Sequence, residues 1–249
     1  MHIDPVWATE LCPALVLHGR RAVARLTGRL YYFNGQKNRA RVFHAIDERV
    51  PFENYVETGT YLGMTTDFLA RTAARRGARV YSCELDGRCF AIARRTAGRR
   101  ANVQLHHGDS VGFLTALLPQ LASAVNFVYL DAHGAGRLPL REELALLREC
   151  PNSVIMIDDF RVPSDPRFGW DRYDDREICL DYIADMVGGE VWLPGYPATH
   201  EEATWRGEAS PRGYCVIAQT PALRDVLDGV PLLRRGSIDH ARATSTIAR

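Results

Sequence analysis

From residue 54 onward the chain alternates short apolar, β-branched runs with longer stretches whose apolar positions recur every three or four residues. Residues 54–57 (NYVE), 79–84 (RVYSCE), 102–106 (NVQLH), 125–130 (VNFVYL) and 153–157 (SVIMI) read as strands. Between them, 65–76, 88–96, 111–121 and 140–148 carry the helical period. Alternation of this length predicts βαβ units, hence an α/β fold with a doubly wound, mostly parallel sheet covered on both faces. Right-handed crossovers restrict the strand order further. Two regions break the rhythm. Residues 1–52 are helical in pattern, with a Phe33-Asn34-Gly35 break before a helix at 36–48. Residues 160–177 are turn-rich and aromatic, and a helix at 178–186, a short strand at 191–193, a polar stretch and a last strand at 214–218 follow. The expected organisation is an N-terminal helical cap at 1–52, one domain at 53–236 and a frayed tail at 237–249.

Composition narrows the class. With 249 residues, 46% hydrophobic and 24% charged, the chain can bury one sizeable core, which excludes intrinsic disorder. Its apolar runs are too short to span a bilayer, so no membrane role is expected. Thirty-one Lys and Arg against 30 Asp and Glu leave a net charge of +1, too little to collect nucleic acid. Lys37 is the only lysine, a usage typical of a GC-rich bacterial genome. None of the six cysteines forms a CxxC pair, and residues 1–5 lack a basic run leading into an apolar one. The expectation is a cytoplasmic protein with reduced thiols and no secretory leader.

In doubly wound sheets ligands sit outside the carboxyl ends of the strands. Those ends are Glu57-Thr58-Gly59-Thr60-Tyr61-Leu62-Gly63, Glu84-Leu85-Asp86, Gly108-Asp109-Ser110, Asp131-Ala132-His133 and Asp158-Asp159. Each carries a carboxylate. The first turn lacks the GxGxxG spacing that brings a pyrophosphate to a helix N-terminus, and Glu57 would repel a diphosphate. Glu84 stands where an acid can accept both ribose hydroxyls. A nucleoside with a cationic tail fits these ends better than a dinucleotide.

The motifs ETGTYLG, CELD, HGDS and YLDAHG resemble the successive cofactor motifs of class I S-adenosylmethionine-dependent methyltransferases, over roughly residues 53–160. The resemblance implies a Rossmann-like sheet with a late antiparallel strand. It implies that Glu57, Gly59, Thr60 and Gly63 line the methionine end of S-adenosylmethionine, with Asp131 close by. Glu84 would then bind the ribose, and Asp109 with Ser110 would flank the adenine. Hard oxygen ligands from adjacent strand ends, as Asp131, Asp158 and Asp159 offer, suit Mg²⁺. That trio is similar to the metal site of divalent-metal-dependent small-molecule O-methyltransferases. The lysine that family carries near the first metal Asp is missing, and His133 stands two residues past Asp131. His133 is the candidate base beside Asp131, since a free imidazole titrates near pH ~6.5. The plainer alternatives are that Asp158 and Asp159 cap a loop or hold an amine, and that His133 is structural.

The expected function is transfer of a methyl group to a hydroxyl of a small, sugar-containing natural product of the kind made in antibiotic biosynthesis. Metal-independent N-methylation of an amino sugar is the alternative. A nucleotide-dependent oxidoreductase, disfavoured by the missing third glycine, and a non-catalytic binding protein are the further ones. His106 and His107 are expected to pack beside the adenine pocket. Trp170 and Tyr173, with Arg161, Arg167 and Arg172, suggest one substrate wall, and 197–212, with His200, Glu201, Glu202 and Trp205, a second. A homodimer through the N-terminal helices is compatible with this sequence.

Overall fold

A computed structural model describes residues 32–134, 136–174, 176–198 and 211–237. A 3-10 turn (Phe33–Gly35) leads into helix α1 (Lys37–Asp47). Four strand–helix steps and a fifth strand follow: β1 (Asn54–Thr58) and α2 (Met64–Ala74), β2 (Arg79–Glu84) and α3 (Gly87–Thr96), β3 (Val103–His107) and α4 (Ser110–Leu121), β4 (Asn126–Leu130) and α5 (Leu140–Leu147), then β5 (Ser153–Asp158). After β5 come a hairpin, β6 (Arg172–Tyr173) with β7 (Arg176–Glu177), and a single turn, α6 (Leu180–Ile183). The chain closes with β8 (Glu190–Pro194), β9 (Tyr214–Ala218), α7 (Pro221–Asp228) and β10 (Leu233–Ser237). The main sheet has the order β10-β8-β9-β5-β4-β1-β2-β3. Pairing is parallel from β3 through to β5 and antiparallel at β9 and β10. This is the doubly wound, Rossmann-like sheet with a late antiparallel strand that the sequence predicts.

Alternation along the strands sorts the core into two layers, because successive strand residues point to opposite faces. Tyr55, Phe127, Tyr129, Val154 and Met156 face one layer, beneath α1, α2 and α7. Val56, Val128, Leu130, Ile155 and Ile157 face the other, beneath α4, α5 and α6. β1, β4 and β5 are buried along their whole length, which is why their sequences read as continuous apolar runs. On the first face Phe43 of α1 meets Phe33, Phe68 and Phe127 with ring centroids 4.9–5.3 Å apart. The described part of the N-terminal segment therefore belongs to the core.

Several expectations change at the edges. The helix expected at 178–186 forms only over Leu180–Ile183, because the Ile178 amide bonds to the Asp171 carbonyl and two glycines follow at 188 and 189. The aromatic stretch contains the β6–β7 hairpin, and α7 and β10 are additions to the sequence reading. Ser237 closes β10, while the rest of the expected tail and residues 1–31 of the expected cap lie outside the described residues. Among the described residues the cysteines are free thiols, and no helix is long and apolar enough to cross a membrane.

Candidate active site

The β1–α2 turn is built on two glycines in the left-handed region. At Gly59 (φ +84°) an added Cβ would lie 2.1 Å from the carbonyl oxygen of Asp131, so only glycine lets this turn touch the end of β4. At Gly63 (φ +78°) a Cβ would press on Ala93 and Thr96 of α3, so this glycine serves helix packing. The amides of Gly59 and Thr60 bond to the Cys83 carbonyl, which lays the turn over the end of β2. Glu57 lies buried under that turn. Its Oε2 accepts from Thr66 Oγ1 at 2.5 Å and Ser82 Oγ at 2.7 Å, and Thr60 Oγ1 meets the same Ser82 hydroxyl. Burial pushes the Glu57 carboxyl up to about 7 despite those hydroxyls. Glu57 and Thr60 thus brace the turn from below.

Glu84 closes β2 at the rim. Its Oε2 accepts the Tyr61 amide at 2.6 Å and its Oε1 the Asp86 amide at 2.8 Å, which fixes the carboxylate. Among the described residues the exposed large apolar side chains are Tyr61 (38%) and Leu85 (51%), and both flank Glu84. Leu85 follows Glu84 in the chain and Tyr61 donates its amide to it, so two exposed apolar residues adjoin an oriented carboxylate. Asp86 and Asp109 are the N-caps of α3 and α4, the latter accepting the Gly112 amide at 2.9 Å. That amide holds the Asp109 carboxyl below the usual carboxylate range. Two of the strand-end acids thus begin helices, worth about 1 kcal/mol each, beside any part in binding. Ser110 is buried at the start of α4, and His107 stacks on Phe90.

The second half of the site is an acidic centre where β4 and β5 end. Asp158 is fully buried and paired with the equally buried guanidinium of Arg39 from α1. It also accepts from Tyr129 Oη, from Asn34 Nδ2 at 2.8 Å and from the Asp159 amide at 2.6 Å. Arg39 reaches on to the carbonyls of Arg212 and Gly213. Four donors therefore occupy the Asp158 carboxylate. Asp159, in the left-handed region (φ +50°), gives Oδ1 to Arg212 Nε at 2.6 Å and Oδ2 to His133 Nε2 at 3.2 Å. Burial opposes its ionisation, yet Arg212 and His133 outweigh that and hold it far below the carboxylate range.

His133 Nε2 also lies 3.6 Å from Asp131 Oδ1 and 3.7 Å from Asp171 Oδ2. Burial would strip its proton, but Asp159, Asp131 and Asp158 push it up to about 9. Asp131 has a hydrogen bond from Asn34 Nδ2 at 3.4 Å, and burial with Asp158 nearby pushes its carboxyl well above the usual range.

One donor atom each from Asp131, His133 and Asp159 lie within 4.8 Å of one another. The chemistry of this donor set fits a divalent cation. The trio expected from sequence is therefore altered, with Asp158 committed to Arg39 and His133 in its place. Asn34, Arg39, Tyr129, Asp171 and Arg212 join the centre without having been read as site residues. Arg39 carries a signal in hindsight, since it shares the buried stripe of α1 with Val42, Phe43 and Ile46 at helical spacing. Of the expected walls, Tyr173 Oη bonds to Asp171 at 3.1 Å and Arg161 lies over the Trp170 ring at 5.5 Å. His200, Glu201, Glu202 and Trp205 fall outside the described residues.

Residues 56–160 match the family model described as a methyltransferase domain. The chain is similar to a catechol O-methyltransferase of Niastella koreensis, 25% identical over 127 residues, which covers 49% of this chain and 56% of that protein. A solved structure from Klebsiella pneumoniae, assigned as an O-methyltransferase, superposes with a TM-score of 0.52 at 18% identity over 88% of this chain and 92% of that one. The O-methyltransferase TomG from Streptomyces achromogenes, solved in complex with S-adenosylmethionine, gives a TM-score of 0.46 at 16% identity over 72% and 78% of the two chains. At these identities the structural likeness is one of fold.

Proposed function

We propose that the protein, whose residues 56–160 match a methyltransferase-domain model, transfers a methyl group from S-adenosylmethionine to a hydroxyl of a small, polar, sugar-containing acceptor, with a divalent cation held at the acidic centre. The observation that carries this reading is the contact between Gly59 and the Asp131 carbonyl. It joins the cofactor turn to the acidic centre with no side chain between them. A sulfonium methyl presented by that turn would emerge beside Asp131, and methyl transfer needs the acceptor oxygen in line with the breaking bond.

In this reading Glu84 holds the ribose between Tyr61 and Leu85, and Asp109 with Ser110 borders the base. Asp131, in its ionised form, receives the proton of the acceptor hydroxyl. His133 is already protonated at neutral pH and serves as a base only once that proton has been displaced. A cation held by Asp131, His133 and Asp159 would lower the pKa of the acceptor hydroxyl. Arg212 fixes Asp159, and Asn34 carries the N-terminal segment to the acidic centre, so the segment before residue 53 acts as the acceptor-side cap of a catalytic domain at 53–236.

Metal-independent methylation of an amino sugar is the second reading. Asp131, which has one long hydrogen bond from Asn34, could receive an ammonium proton. Calorimetric titration with S-adenosylhomocysteine, with EDTA present and NAD as control, tests the core of the proposal. Saturable binding that disappears in Glu84→Ala supports it, whereas binding of NAD alone overturns it. Activity that survives EDTA would select the second reading.

A further inference from the structure

The end of β5 offers two adjacent acids, and the structure separates their tasks. Asp158 is turned to Arg39, Tyr129, Asn34 and the Asp159 amide, so its oxygens are committed inside the protein. A buried carboxylate cannot leave a buried guanidinium without stranding that charge away from water. Asp159 keeps only Oδ1 with Arg212, and its Oδ2 faces the same point as Asp131 Oδ1. The third group at that point is an imidazole. His133 presents Nε2 to Asp159 Oδ2 at 3.2 Å and to Asp131 Oδ1 at 3.6 Å, from a ring only 7% exposed.

Donor type then decides which ion is preferred. Mg²⁺ is small and hard, takes oxygen ligands and keeps several waters. Imidazole is a borderline donor that favours the later divalent ions of the first transition row. We infer that the cation site of this chain is a two-oxygen, one-nitrogen set formed by Asp131, Asp159 and His133, which takes a first-row transition ion in preference to Mg²⁺. This rests on the metal-assisted reading proposed above and names the class of ion for it. Arg212 orients the Asp159 carboxylate from behind, as outer partners of metal ligands commonly do. The Asp131–x–His133 spacing supplies two donors from one strand end, and Asp159 supplies the third from the neighbouring strand.

The experiment uses Mn²⁺ as the probe on the full chain, read by electron paramagnetic resonance, with Mg²⁺ as competitor. Pulsed measurements detect a ligating nitrogen directly through its modulation of the Mn²⁺ signal. The expected result is stoichiometric Mn²⁺ binding with ¹⁴N modulation and weak displacement by Mg²⁺. In His133→Asp the modulation is lost, and Mg²⁺ displaces Mn²⁺ more readily than in the wild type. Bound Mn²⁺ without ¹⁴N modulation, displaced equally well by Mg²⁺ in both proteins, overturns the inference and leaves a metal-assisted reaction standing. Binding of neither Mn²⁺ nor Co²⁺ to the wild type overturns both. Because the nitrogen signal is read on the wild type, the inference stays testable even if the variant fails to fold.

Discussion

Replacing Arg39 with methionine tests whether Asp158 is committed to the architecture. The substitution keeps much of the buried volume and removes the cation that faces Asp158, while Tyr129, Asn34 and the Asp159 amide still donate to the carboxylate. Both side chains are 0% exposed, so solvent cannot take over the charge. Breaking a buried pair from one side costs about 3–5 kcal/mol. A domain is stable by only about 5–15 kcal/mol, so the loss is large. With a urea slope of about 3 kcal/mol/M, the unfolding midpoint should fall by roughly 1–1.7 M. Asp158→Asn should cost a similar amount by stranding Arg39. The double variant Arg39→Met/Asp158→Asn should lose less than the sum of the single losses, by about 2 kcal/mol or more.

The pH dependence gives a second check on the same variant. Without Arg39, the buried Asp158 carboxyl holds its proton more tightly in the folded chain than in the unfolded one. That contribution is fully present below the unfolded value of about 3.9 and is lost as pH rises through the folded value, with a slope of at most about 1.4 kcal/mol per pH unit. Arg39→Met should therefore recover stability on mild acidification. Urea titrations of the four proteins at several pH values measure all of this. Single losses that add within about 0.5 kcal/mol would falsify the buried pair and return Asp158 to the pool of free ligands.

Three further outcomes follow from the site. Glu57 is raised from 4.5 to about 7, so its contribution is present below 4.5 and lost as pH rises through 7; between pH 5.5 and 8.5 the wild type should lose about 2 kcal/mol relative to Glu57→Gln, and parallel denaturation curves would contradict this. Gly59→Ala combines a positive φ with a 2.1 Å clash, so it should cost well over about 1 kcal/mol and remove S-adenosylhomocysteine binding in calorimetry; unchanged binding would show that the turn can move away from Asp131. Asn34→Ala should lower turnover while leaving S-adenosylhomocysteine affinity intact, because Asn34 donates to Asp131 and Asp158 and not to the cofactor turn; a parallel fall in affinity would sink that division of labour.

The sheet was legible because its signals are local. β1 to β5 are short apolar runs with helical periods between them, and the strand-end acids stand in the order the sheet presents them. What escaped reading depends on distant partners. Asn34 reaches Asp158 across 124 positions and Arg39 reaches the Arg212 carbonyl across 173, and no periodicity announces either contact. The acids themselves look alike in sequence. Only packing shows that Asp86 and Asp109 cap helices, that Glu57 lies beneath its turn, and that Asp158 and Asp159 face different neighbours. β10 and the β6–β7 hairpin were missed because Arg-rich or turn-rich segments pair through backbone bonds with little apolar pattern.

The position of β9 has a consequence for how the protein is made. β9 lies in the interior of the sheet between β5 and β8, although it is synthesised after both. The carbonyls that receive Arg39 lie just ahead of it, at Arg212 and Gly213. A nascent chain leaves the ribosome at about 5–20 residues per second and cannot seat β9 until residue 218 has emerged. Until then β5 and β8 are unpaired edges, and Arg39 waits in an aromatic layer without its acceptors on β9's side. Such edges attract other strands. The sheet therefore closes only once β9 has emerged, and its yield in a cell should depend on chaperones that shield β5 and β8 during synthesis.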